Sequence, residues 1–416
     1  MTKFRKSALA ALVAVGVMGM AGAASAAVVG GGATLPEGLY GKANASTDAN
    51  GQPYDDHGIG ILHDGAGFNP YVGVGSGAGK RAFFNNNSDE FKWDHDDNPL
   101  TPDVLFYPTR VTVDYAGSDS LVSAAELGSY NNPSNANGRA NFGALIQVPS
   151  VLTSVTVPFN VPGLPTLNLT SEQLAKIFGG EITRWDDSQL GLTNAPAEDI
   201  IVVHRGDESG TTEIFLRHLN AIDSGAVESV NKDFVAAIKP AEHPAATFLP
   251  AVGSAGVVTA VEATAYSIGY VSPDKVDFDD ATVVASINGY LPTEVNVQAA
   301  VEDSPVPAGA LVNNPLAWGI SNANPSTGYP IVASTNLIFS QCYADSGDES
   351  KIRQFVGNHY DVNYTLNDQE IEEAGFVKLP AAWLNAVRDN FWASNSSLSI
   401  GNANVLMGSK VSEHHL

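Results

Sequence analysis

An α/β fold divided into two lobes is what this sequence predicts. Three observations point there. Short β-branched runs alternate with amphipathic segments along the chain, the pattern of strands joined by helices in parallel sheets. Forty glycines and 23 prolines supply the tight turns that short connections need. Two long β runs, 145–159 and 331–339, lie about 185 residues apart and are candidates for strands crossing between lobes. That places 27–147 plus 336–416 in lobe I and 148–335 in lobe II.

The chain opens on a secretory leader. Lys3, Arg5 and Lys6 form its basic start, 7–22 its alanine-rich apolar stretch, and Ala24-Ser25-Ala26 its small-residue cleavage site, with the cut expected after Ala26. The run is too short and weakly apolar for a retained membrane helix, and no later segment is expected to insert. Removing residues 1–26 takes three of the 21 basic residues and none of the 45 acidic ones, so the net charge goes from −24 to −27. Such a field excludes nucleic acid as a partner and repels anionic membranes. It also repels small anions at long range, so an anion site here must work through local dipoles and hydrogen bonds. Cys342 is the single cysteine, which leaves no internal disulfide and reads as a small buried apolar residue.

Taken in order, the elements begin with Gly30-Gly31-Gly32-Ala33-Thr34-Leu35-Pro36, a glycine-rich turn with proline suited to the first turn of a helix. Residues 41–69 read as a polar insertion or long loop. Tyr71 to Val74 is strand-like and runs into Gly75-Ser76-Gly77-Ala78-Gly79-Lys80, and 85–103 is an acidic, asparagine-rich loop. Val111 to Tyr115 alternates as a strand and ends at Ala116-Gly117-Ser118-Asp119-Ser120. The first long β run is interrupted by Pro149 and Pro158. Thr170 and Gln173 have capping-box spacing at the start of a helix that Gly179-Gly180 ends.

The most informative stretch is 201–215. A β-branched run ends at Arg205, and Ser209-Gly210-Thr211-Thr212 opens a helix carrying Ile214, Phe215, Leu216 and Leu219. Free N–H groups and the helix dipole at such a start favour an anion, and Arg205 offers a planar fork. The same residues also fit an ordinary N-capped helix with a surface arginine nearby. Beyond it, 252–263 reads as helix, Ser267 to Val271 as strand, and 349–356 and 381–391 as helices. The tail from Lys410 is expected to be disordered.

Four blocks therefore put hydroxyls or glycines at strand-to-loop or loop-to-helix junctions: 31–36, 75–80, 116–120 and 205–212. In this order, and with matching flanks at 145–159, 174–185, 329–344 and 398–405, they resemble the phosphate-binding proteins of bacterial phosphate ABC importers, most closely the DING branch. The resemblance implies a two-lobed periplasmic binding protein (Venus-flytrap) fold, with two mixed sheets flanked by helices and two crossover strands. It implies phosphate held by the Thr34 hydroxyl, the Leu35 N–H, Ser76 and Asp119 from lobe I, and by Arg205, Ser209, Gly210 and Thr211 from lobe II. It further implies a periplasmic or secreted monomer that needs no cofactor and delivers phosphate to an ABC permease. Asp119 is the telling residue: phosphate keeps a proton that a carboxylate can accept, whereas sulfate has none. A loop aspartate capping a backbone N–H is the alternative. Departures are Ala27-Val28-Val29-Gly30 where the branch has Asp-Ile-Asn-Gly, Leu406 where a partner for Cys342 would stand, and Ala175 and Ile222 at the other cysteine pair.

Some relatives of that branch are alkaline phosphatases, which makes an enzyme the main alternative and an extracellular phosphate-scavenging or adhesion protein another. Phosphate-ester hydrolysis asks for an activated nucleophile or paired metals. The acidic stretches Asp55, Asp56, His57, His63, Asp64 and Asp94, His95, Asp96, Asp97 match no metal motif, and Asp48, Asn50 and Gln52 lack the rest of an EF-hand loop. His204 and Arg205 alternate along a strand, so a cleft-facing Arg205 turns His204 away from Ser209. No catalytic or metal residue is assigned.

Overall fold

The computed structural model describes residues 28–41, 43–47, 53–55, 60–62, 67–93 and 104–402, apart from 208, 239, 241–245, 303 and 321. The expected leader and its cut, Asp48, Asn50, Gln52, Asp56, His57, His63, Asp64, the acidic run 94–97, Leu406 and the tail from Lys410 lie outside these residues.

Among the described residues, nine strands build the two larger sheets: β1 (Gly30–Gly32), β2 (Val72–Gly73), β3 (Tyr115–Ser118), β4 (Leu145–Ser154), β5 (Phe159–Asn160), β6 (Ile201–Arg205), β7 (Thr247–Ala251), β8 (Ser267–Gly269) and β9 (Val332–Ser340). The first sheet has the order β2-β1-β3-β9-β4. Its β1, β2 and β3 are parallel, while β9 runs antiparallel to both β3 and β4. The second has the order β7-β6-β8-β5, parallel except for β5. Both sheets are mixed, as expected.

The long β runs behave as crossovers. After β4, Thr156 bridges to Val271 and β5 pairs with β8, so one continuous run leaves the first sheet and enters the second. The return run lies beside it: the Val155 N–H donates to the Ile331 carbonyl at 3.0 Å, and β9 then pairs along β4. Pro149 does not end β4. Thr335 pairs with Val151 and Asn336 with Pro149, which leaves Ser150 as an extra residue in a bulge. Proline has no N–H for the ladder, and an edge strand of this sheet tolerates it at such a bulge. Pro315–Trp318 reaches back to the first sheet, where the Pro315 carbonyl accepts from the Gln147 side chain and Trp318 packs on Trp383 and Phe391.

Five helices matter for the cleft: α1 (Glu37–Tyr40), α2 (Ser76–Asn85), α3 (Ser171–Gly179), α4 (Gly210–Ile222) and α5 (Gly253–Ala263). The capping box of α3 forms as expected, with reciprocal bonds of 3.1 and 2.8 Å between Thr170 and Gln173, and Gly180 closes the helix in the left-handed region at φ 84°. Ile214, Phe215, Leu216 and Leu219 of α4 are all buried. Beneath α4, Phe215 stacks on Tyr270 with ring centroids 4.5 Å apart, and Phe178 and Phe234 pack around them. That aromatic floor fixes the level at which α4 begins.

Three expectations are revised. Val111 to Asp114 is not strand; the strand starts at Tyr115 and takes in Ala116 to Ser118. Side chains capture the earlier N–H groups, Val111 by the Ser88 hydroxyl and Val113 by the Asn86 amide oxygen, so no ladder forms there. The insertion at 41–69 is not all loop: Ala43–Thr47 and Pro53–Asp55 pair as a hairpin, and Ile61, Leu62 and Phe68 are buried. In 85–103, Lys92–Trp93 likewise pairs with Val104–Leu105.

Candidate anion-binding site

In parallel sheets the strands end on one side, and the loops beyond their C-terminal ends meet in a crevice. In the first sheet, β1 leads to Thr34 and Leu35, β2 to Ser76 at the first turn of α2, and β3 to Asp119. In the second, β6 ends at Arg205 before the Ser209-Gly210-Thr211 start of α4, and β7 leads to α5. Glycine is what lets α2 lie against β1: a Cβ on Gly79 would come within 2.4 Å of the Gly32 Cα.

Asp119 and Gly210 show where the two lobes meet. A Cβ on Gly210 would stand 3.2 Å from Asp119 Oδ2, so the carboxylate of one lobe faces the helix start of the other. The Asp119 N–H donates to the Ser76 Oγ at 3.0 Å, which holds the loop and leaves the Ser76 hydroxyl proton to donate elsewhere. Asp119 is 8% exposed, and its Oδ1 has no hydrogen-bond partner among the described residues. Burial pushes its pKa up to about 6; the Thr335 hydroxyl and the charges of Lys232 and Arg217 pull it down, while Glu213 adds to the rise. Among the described residues the Asp119 Oδ1 caps no backbone N–H.

On the facing lobe, the Ser209 Oγ accepts the Thr212 N–H at 3.3 Å and caps α4, while the Thr212 hydroxyl is 2.7 Å from the Tyr270 hydroxyl. Ser209 and Thr211 are buried, and Thr212 is fully so. Arg205 is held from three sides. Asp207 takes both its Nε (2.8 Å) and Nη2, Ser254 takes Nη1 at 3.3 Å, and the Arg205 N–H donates to the Tyr270 hydroxyl at 3.2 Å. Asp207 also accepts the Gly253 N–H at 3.0 Å. Partial burial pushes the Asp207 carboxyl up, but Arg205 and Gly253 outweigh it and hold it below the usual carboxylate range.

Of the eight expected site residues, Ser76 and Asp119 are hydrogen-bonded, Gly210 faces Asp119, and Arg205, Ser209 and Thr211 belong to the same facing loop and helix start. Thr34 is exposed and Leu35 half-buried at the end of β1. The chain just before them is pinned, since the Ala33 N–H donates to the Gly117 carbonyl at 2.9 Å and the Ala33 carbonyl accepts from the Tyr71 hydroxyl at 2.8 Å. His204 does turn away from Arg205: it is 3% exposed, stacked on Phe234 with centroids 4.7 Å apart, and burial lowers its pKa. Asp207, Ser254 and Tyr270 escaped the sequence reading. Asp207 could have been found, two residues after Arg205 within one loop; Ser254 and Tyr270 carry no local signal.

A model of the PBP superfamily domain matches residues 22–356. The chain belongs to that superfamily. It is 39% identical over 406 residues to Alkaline phosphatase L of Pseudomonas aeruginosa, covering 97% of this chain and 98% of that protein. It is 37% identical over 409 residues to a phosphate-binding protein of an unknown prokaryotic organism, covering 91% and 98%. Among solved structures it aligns with PfluDING, a high-affinity periplasmic phosphate-binding protein bound with phosphate, at TM-score 0.69 and 37% identity over 91% of this chain and 98% of that one. These likenesses place it on the DING branch of the superfamily, as the four blocks implied, with the two-lobed fold that goes with it.

Proposed function

We propose that the chain is an exported binding protein that clamps one inorganic phosphate between its lobes for high-affinity uptake. The observation that carries this reading is Asp119. A buried carboxylate beside the amino end of an opposing 13-residue helix is repulsive to a fully deprotonated oxyanion and attractive to one that brings a proton. Helix-start N–H groups of Gly210 and Thr211, the hydroxyls of Thr34, Ser76 and Ser209, the Leu35 N–H and the Arg205 fork supply the remaining donors. Asp207 fixes the orientation of that fork. The lobes are 27–147 plus 336–416 and 148–335, hinged at the crossover strands, and closure around the dehydrated anion completes its hydrogen bonds. As a monomer cut after Ala26, in the periplasm or outside the cell, it would pass phosphate to an ABC permease.

Calorimetric titration of the mature protein with phosphate, and with sulfate as control, tests the reading. One-to-one binding of phosphate with no sulfate signal is expected; absence of phosphate binding would overturn it. The relative named Alkaline phosphatase L favours a second reading, a secreted phosphomonoesterase. Against it, the imidazole of His204 is committed to the core, away from Ser209. Turnover of a phosphate monoester, measured with and without added divalent cations, would bring that reading forward.

A further inference from the structure

Behind Asp119 lies a polar group that the phosphate-clamp reading does not use. Three oxygens there, Tyr40 Oη, Thr335 Oγ1 and Asp119 Oδ1, are buried without a well-formed hydrogen bond to any described residue. Thr335 stands beside both of the others, and the Ser150 hydroxyl stands beside Tyr40. Topology produces this grouping. The pairing of Asn336 with Ser118 sets Thr335 of β9 opposite Asp119, and the bulge that leaves Ser150 unpaired in β4 falls at the same level. Tyr40 reaches the group from the last turn of α1. Buried hydroxyls at a sheet bulge carry the full desolvation cost unless they serve one another or a neighbour.

The two oxygens of Asp119 therefore face different ways. Oδ2 looks across at Gly210 and the anion position. Oδ1 looks back at hydroxyls that can line up with their donors directed toward it, Tyr40 to Thr335 and Thr335 to Asp119. We infer that Thr335 is a positioning residue for Asp119, holding Oδ1 so that Oδ2 stays an acceptor, with Tyr40 and Ser150 as the support behind it. The inference rests on the phosphate reading of the cleft and extends it to the crossover strand: a residue at the bulge sets the selectivity of a site it does not touch. Other groups acting on Asp119 are Glu213 and Arg217 of α4, Lys232 of the facing lobe, and Tyr71 before β2. All of these are left intact by a change at 335.

The test is sulfate competition against bound phosphate as a function of pH, because sulfate gains entry when Asp119 is protonated. Thr335→Val keeps the β-branched shape and deletes the donor. The midpoint of sulfate entry is expected to rise by about one pH unit, with phosphate affinity near neutral pH about ten-fold weaker, the size of one lost bond to a charged group. Thr335→Ser should restore both values, and Tyr40→Phe should move the midpoint the same way by less. Wild-type midpoints in Thr335→Val and Tyr40→Phe, in a protein that binds phosphate, would overturn the inference alone. Should Thr335→Val fail to fold, Tyr40→Phe and Thr335→Ser decide: a wild-type midpoint in Tyr40→Phe then counts against it. Loss of phosphate binding by the unaltered protein would overturn the reading of the cleft itself.

Discussion

At the scale of single residues, Asp119 on the proposed clamp sets opposing demands on folding and binding. Its pKa is raised by burial from 3.8 to about 6, so the folded protein prefers the protonated carboxyl. Stability from this group is complete below the unfolded value and is lost as pH rises through about 6, a loss of roughly 3 kcal/mol by linkage. Asp119→Asn should therefore raise the melting temperature of the ligand-free protein at about pH 8, with the gain vanishing toward about pH 4. The same variant should bind phosphate at least about ten-fold more weakly and admit sulfate, since an amide no longer presents a charged acceptor. Thermal melts across pH and paired titrations check both halves. A uniform gain at every pH would mean that the carboxylate is not the titrating group.

At the scale of elements, the start of α4 faces Asp119 across the lobes at Gly210. Gly210→Ala adds a Cβ 3.2 Å from Asp119 Oδ2, in the space an anion between the lobes would use. Alanine also favours helix over glycine by up to about 1 kcal/mol. The two effects have opposite signs: stability to denaturant should hold or rise slightly, while phosphate affinity falls about ten-fold or more, as for loss of one charge-assisted bond. Unfolding curves and titration of the same preparation separate them; loss of both together would mean that the change has disrupted the lobe contact generally. Much of this element was legible in the chain. The hydroxyl cap, the glycine and the apolar face at 214–219 are local patterns. The strand before Asp119 was misplaced by several residues because Val111 and Val113 alternate like a strand while their N–H groups are taken by Ser88 and Asn86, partners more than 20 residues away.

At the scale of the whole molecule, bulk charge and local site oppose each other. A net charge of −24 slows the approach of a small anion, while the helix dipole and Arg205 act only within a few ångströms. Raising ionic strength from low to physiological should speed phosphate association several-fold, on the order expected when a repulsive field is screened. Stopped-flow measurement against sodium chloride concentration reads this directly; a falling rate would point to a locally positive entrance. The pair β4–β9 carries the Ser150 bulge at the level of Asp119, so on the proposed clamp the hinge and the ligand position would share one stretch of backbone.

The chain by itself determined the class of the fold, the cap and end of α3, the start of α4, the strands that cross, and the four junctions where an anion could be held, but not the helices Ala124–Tyr130 and Glu294–Val301. Each of these is a local matter, set by side-chain period, turn residues and N–H groups left free at a helix start. Tertiary structure alone decided that Asp119 meets Gly210, that Asp207 and Ser254 brace Arg205, and that Thr335 stands behind the carboxylate. Apart from the Arg205–Asp207 pair, those contacts join residues far apart in sequence. They arise from sheet register, a bulge at a proline, and the packing of one lobe against the other, none of which leaves a periodic trace in the chain.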